Sequence, residues 1–118
     1  MESLGAEYGG YLPDSAFTAS SSTSNYNAVK GRLNTPRTAW IPQNYQPDHD
    51  ATSKDYLQID LQRPKTITAV STQGMQAKLF VRTFSLAFSQ DGETFDQYMH
   101  GSYSHKVICS NFFRCYSF

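Results

Sequence analysis

Tyr56-Leu57-Gln58-Ile59-Asp60-Leu61 alternates without a break, with Leu57, Ile59 and Leu61 on one side of an extended chain and Tyr56, Gln58 and Asp60 on the other. A period of two over six residues predicts a half-buried strand, and the rest of the chain reads outward from it. Downstream, Arg63-Pro64-Lys65 has the composition of a turn, and Thr66-Ile67-Thr68-Ala69-Val70-Ser71-Thr72 is rich in β-branched residues, so a second strand is expected to pair with the first. Gln73-Gly74 breaks it. From Phe80 to Ser89 the period is two again, with Phe84, Leu86 and Phe88 as the expected core face. Gln90-Asp91-Gly92-Glu93 then carries an Asp-Gly hairpin signal, and Phe95 and Tyr98 begin a return strand.

Upstream, Ala16-Phe17-Thr18-Ala19 is a short strand between segments rich in Gly, Pro and Ser. The stretch from Asn34 to Asp55, with Pro36, Pro42 and Pro47 around Trp40 and Ile41, reads as a long ordered loop. No segment of ten residues shows a 3.6-residue apolar period, and there is no internal repeat. The expected fold is therefore all-β, a sandwich or barrel with long loops. Eight Tyr, eight Phe and one Trp in 118 residues supply the large apolar area that such a small domain must bury.

Charge and composition narrow the function. Ten basic residues balance ten acidic ones, which leaves no basic field to condense on nucleic acid, and a nucleic-acid partner is not expected. No apolar run approaches the ~20 residues of a spanning helix, and Met1-Glu2-Ser3-Leu4-Gly5 does not have the charged and apolar regions of a signal peptide. Cys109 and Cys115 offer one short-loop pair, too little for a disulfide framework.

Several segments, taken in order, resemble the landmarks of the discoidin, or coagulation factor V/VIII type C (F5/8 type C), domain: Leu4-Gly5-Ala6-Glu7, Leu12-Pro13-Asp14, Phe17-Thr18-Ala19-Ser20-Ser21, Gly31-Arg32-Leu33-Asn34, Ala39-Trp40-Ile41-Pro42, Tyr56 to Leu61, Thr72-Gln73-Gly74, and Ala87-Phe88-Ser89-Gln90-Asp91-Gly92-Glu93-Thr94-Phe95. The resemblance implies a jelly-roll-like antiparallel β-sandwich, galactose-binding-domain-like, with ligand-binding loops at one end. It covers residues 1–101 as the domain. Residues 102–118 do not align with the family's closing strands, so the domain is expected to be incomplete at its C-terminal end, with an unaligned tail. A product without independent function is the reading that follows if those strands are missing. Val107-Ile108 and Phe112-Phe113 are the tail residues with the composition to cover the gap.

The resemblance also implies a function: a non-enzymatic extracellular or cell-surface recognition module for cell adhesion, whose partner is a cell-surface or matrix protein or a glycan. An anionic phospholipid surface is the alternative. By register, three loops form the ligand end, about residues 23–30, 43–54 and 75–80. Their candidate binding residues are Asn25, Tyr26 and Lys30 in the first, Tyr45 in the second, and Met75, Lys78, Leu79 and Phe80 in the third. Asn25 and Asn27 beside Tyr26, or Asn44 and Gln46 beside Tyr45, suit a glycan. Apolar tips over Lys30 and Lys78 suit an anionic lipid. Leu79 and Phe80 are either such a tip or the start of the next strand, since Phe80 is in phase with Phe84.

Other residues are assigned structural roles. Trp40 is expected to pack beneath the loops, and Asp60, facing away from the apolar side of its strand, is expected to pair with Arg32. Asp48-His49-Asp50 with Asp55 is the densest group of potential metal ligands. It departs from the calcium-loop template, where Ser53 stands at the turning-glycine position, and it reads as a solvated polar loop. The acidic calcium ligand of glycan-binding relatives would fall near Asn34 and Thr35, so neither a metal nor another cofactor is expected. His49, His100 and His105 fall in no hydrolase or metalloprotease motif, and no enzymatic activity is expected.

Overall fold

In the computed structural model, residues 3–43, 55–75, 84–98 and 108–117 are described. Their five strands are β1 (Phe17–Ala19), β2 (Tyr56–Ile67), β3 (Phe84–Ser89), β4 (Asp96–Gln97) and β5 (Ile108–Ser117). All pairings are antiparallel, and they join the strands into one sheet of order β1-β2-β5-β3-β4. Two single 3-10 turns, Asp14–Ala16 and Ala28–Gly31, pack on the sheet beside β1 and β2.

The strand at the centre is the one expected to lie outside the domain. β5 pairs with β2 from Tyr56↔Tyr116 to Ile67↔Ile108 and with β3 from Phe84↔Ser117 to Ser89↔Phe112. Of the expected unaligned tail, 102–118, residues 108–117 form this strand. A chain lying between two strands satisfies backbone groups on both neighbours, and Ile108–Ser117 provides that in place of a gap.

β2 also departs from expectation. Arg63-Pro64-Lys65 does not fold the chain back, because the strand runs through it to Ile67 and both of its halves pair with β5. The surplus residues between Asp60 and Lys65 form a bulge, where Gln62 takes φ 68° and its N–H donates to Asp60 Oδ1 at 2.7 Å. This removes the expected Asp60–Arg32 pair: the Asp60 carboxylate holds its own bulge, while Arg32 is engaged elsewhere.

One side of the sheet carries the core. Leu12, Ala16, Phe17, Ala28 and Leu61 are buried together, with Leu57, Ile59, Ile67 and Val29 packed against them. Of the expected core face of β3, Phe88 is buried and Leu86 half-buried, but Phe84 is 41% exposed and its place in the core is corrected. It is the first residue of β3, opposite Ser117 near the end of β5, where the sheet runs out. Ala87 and Ser89, in the opposite phase, are buried. The turn after β3 folds over that side, bringing Gly92 so close to Phe112 that an added Cβ would lie 3.1 Å from its ring.

Cys109 and Cys115 lie on the same strand, six residues apart. At the rise of a β-strand their Cα atoms are separated by roughly 20 Å, about three times what a disulfide spans, so the two cannot be joined to each other.

Candidate functional site

The loop end begins where β1 gives way to Ser20 and Ser21. Ser20 N–H donates to Tyr56 O at 3.0 Å and Tyr56 N–H to Ser20 Oγ at 2.9 Å, which ties the exit of β1 to the entry of β2. Both serine hydroxyls donate to Asp55 Oδ1, at 2.8 and 2.9 Å. Asp55, grouped by sequence with Asp48, His49 and Asp50, is thus an anchor for the loop base. The other three lie outside the described residues.

From this base two loops are fastened side by side. Thr23 N–H donates to Ile41 O at 2.8 Å, and Ile41 N–H donates to Tyr26 O at 3.1 Å. Trp40 Nε1–H donates to Ser21 O at 2.9 Å, and Gln43 N–H to Ser21 Oγ at 3.1 Å. Trp40 is half-buried against Gly31, where an added Cβ would stand 3.3 Å from its Cβ and 2.7 Å from Leu57 Cδ2. Its indole therefore serves as a brace between the loops, in keeping with an amphipathic ring that buries its body and satisfies its N–H. Tyr26 is half-buried, flanked by exposed Asn25 and Asn27, and Asn25 takes φ 71°, a left-handed conformation that asparagine tolerates. The hydrogen bonds that hold this tip use the backbone N–H and C=O of Tyr26, so its phenol takes no part in the fastening.

The base of the third expected loop meets Asn34. Gln73 Oε1 accepts the Asn34 N–H at 2.6 Å, and Met75 is half-buried. Tyr45, Lys78, Leu79 and Phe80 lie outside the described residues.

A second feature was not foreseen. Residues 8–14 and 29–35 face each other across an open cleft of about 390 Å³. Arg32, buried beneath it, holds both walls: Nη2 donates to Leu12 O and, at 3.0 Å, to Asp14 Oδ1, while Nη1 lies 3.4 Å from Gly5 O and Glu7 O. The guanidinium also stands 4.3 Å over the Phe17 ring. Glu7 is half-buried, and the hydroxyl of Ser3 donating to it holds its carboxyl below the usual range, helped by its own backbone N–H and by Arg32. Gly5 takes φ 83° beneath the ring of Tyr11, which an added Cβ would overlap at 2.6 Å. Only the glycine pair Gly9-Gly10 between two tyrosines signals this turn in the sequence.

Among known proteins, the family model of the F5/8 type C domain matches residues 16–112. The chain is 32% identical over 98 residues to neuropilin-1 of Homo sapiens, which covers 79% of this chain and 10% of that protein. It is 32% identical over 102 residues to coagulation factor VIII of Mus musculus, covering 75% of this chain and 4% of that protein. The chain thus spans about a tenth or less of the length of these curated relatives. Among solved structures, the family 32 CBM of C. perfringens NanJ in complex with galactose superposes with a TM-score of 0.54 over 90% of this chain and 85% of that one, at 11% identity. The likeness shows a shared fold, the discoidin-type β-sandwich.

Proposed function

The chain belongs to the F5/8 type C domain family, and from that premise we propose that it is a non-enzymatic recognition module of extracellular or cell-surface adhesion, taking a glycan or protein ligand through its fastened loops. The observation that carries this reading is the tip at Asn25-Tyr26-Asn27, held through its backbone by Ile41 and Thr23. A phenol braced from below and flanked by two exposed carboxamides presents a ring face together with donors and acceptors, the set that suits a sugar or a polar peptide segment. Because the loop is ordered before binding, little conformational entropy is lost on association. The galactose held by the NanJ module, a protein of the same fold, lends support to the glycan arm. The place of Ile108–Ser117 at the centre of the sheet favours a working module over a product without function.

Tyr26→Ala is the discriminating variant, since the bonds at Tyr26 are made by its N–H and C=O and persist in alanine. With the full chain on a glycan array, on purified receptor ectodomains and on anionic vesicles, the substitution is expected to weaken glycan or ectodomain binding by about tenfold, in the range of a lost aromatic contact. Undiminished binding by a folded Tyr26→Ala chain would remove the loop tip from the site. Binding to vesicles alone, weakened by salt, would replace this reading with the phospholipid one.

A further inference from the structure

The cleft over Arg32 has the composition of a ligand site, and its lining takes Lys30 from the first loop but not the tip residues Asn25, Tyr26 and Asn27. We propose that it is a second subsite, for one neutral hexopyranose unit of a glycan. Tyr8 and Tyr11, at its rim, are each 62% exposed, an arrangement that leaves two large apolar rings in water on a turn that is otherwise tightly held. Aromatic rings at a cleft mouth take the C–H face of a pyranose, and the charged groups of the lining can take its hydroxyls. Asp14 is fixed at Oδ1 by Arg32, yet its side chain remains 75% exposed, so its carboxylate can accept hydroxyl protons from a pre-set position. Lys30, half-buried on the facing wall, has no carboxylate within ion-pair distance among the described residues, and its ammonium can donate. An acceptor and a donor of opposite charge, set across a cleft with aromatic rims, complement a neutral polyol better than an anion, which Asp14 would repel. Arg32 lies below as a positioning residue: its bonds to Leu12, Asp14, Gly5 and Glu7 tie the walls together and are not available to the ligand.

The test reads location as well as affinity. Galactose, glucose and mannose are titrated separately into the isotopically labelled full chain, and amide shifts are followed at Gly9, Gly10 and Thr35 for the cleft and at Asn25 and Asn27 for the loop tip. Saturable shifts at the cleft amides with at least one hexose, unchanged by added salt, are expected, and Tyr8→Ala should weaken them about fivefold while leaving the rest of the spectrum in place. Asp14→Asn should weaken them as well, since a carboxamide accepts less strongly. Shifts confined to Asn25 and Asn27 would overturn the cleft subsite and leave the loop-tip function standing. Shifts confined to the cleft would uphold the subsite and remove these hexoses as ligands of the loop tip. No shift at the cleft with any of the three hexoses, or cleft shifts that Tyr8→Ala leaves untouched, would also overturn the subsite.

Discussion

Arg114 Nε donates to Gln58 Oε1 at 2.6 Å, directly across the ladder between the central strand and β2. The same guanidinium stands 3.9 Å from the centre of the Tyr56 ring and 3.7 Å from that of Phe95. One side chain of β5 thereby links β2 to the segment entering β4, over the face of the sheet opposite the main core. A guanidinium stacked between two rings keeps its charge while shedding water from both faces, which a lysine ammonium cannot reproduce. Arg114→Lys is therefore expected to destabilise the chain by about 1 kcal/mol and Arg114→Ala by about 2 kcal/mol, measured by urea unfolding. Equal stability of the lysine variant and the parent would mean that stacking contributes nothing beyond charge.

The central position of β5 makes the end of the chain indispensable. Its residues have eight register partners on β2 and six on β3. At about 0.5–1.5 kcal/mol net for each backbone hydrogen bond, losing that ladder approaches or exceeds the roughly 5–15 kcal/mol of a whole domain's stability. A chain ending at Gly101 is expected to lose cooperative thermal unfolding and dispersed amide signals. Retention of both would show that the sheet holds without its middle strand. The family match extends to residue 112, past that boundary and into β5, in keeping with this expectation.

Where the sequence was legible, one physical signal dominated. Leu57, Ile59 and Leu61 alternate because their strand buries one side, and Phe88 falls in the buried phase for the same reason. Ile108–Ser117 has no such alternation, since Cys109-Ser110-Asn111-Phe112-Phe113-Arg114-Cys115 mixes polar and apolar residues in both phases. A central strand is covered on each edge and here partly on each face, by the core on one side and by Gly92 over Phe112 on the other, so period two fades. Arg63-Pro64 misled in the opposite sense: turn-forming residues were absorbed into a bulge that Asp60 caps. Tyr26 and Trp40 were singled out through resemblance to a family. The Tyr8 and Tyr11 cleft exists only because Arg32 bonds to Leu12 and Asp14, twenty and eighteen residues away, a pairing that no local pattern announces.

The turn after β3 offers a pH-dependent test of local order. Asp91 Oδ1 accepts from the N–H groups of Glu93 and Thr94, each at 2.9 Å, and from Ser89 Oγ at 2.9 Å. These donors, the two backbone groups foremost, favour the carboxylate and lower the Asp91 pKa below the ordinary value of 3.8. A depressed pKa in the folded state stabilises the fold fully above the unfolded value, and the contribution is lost as pH falls through the lower, folded value. The Glu93 and Thr94 amide signals should therefore titrate together with a midpoint below 3.8, and the turn should loosen over the same interval. Asp91→Asn, which retains an acceptor oxygen but no titratable charge, should abolish that transition and leave the turn less protected than the parent's at neutral pH. A midpoint at or above 3.8, or an unchanged titration in the asparagine variant, would remove Asp91 as the anchor of the turn.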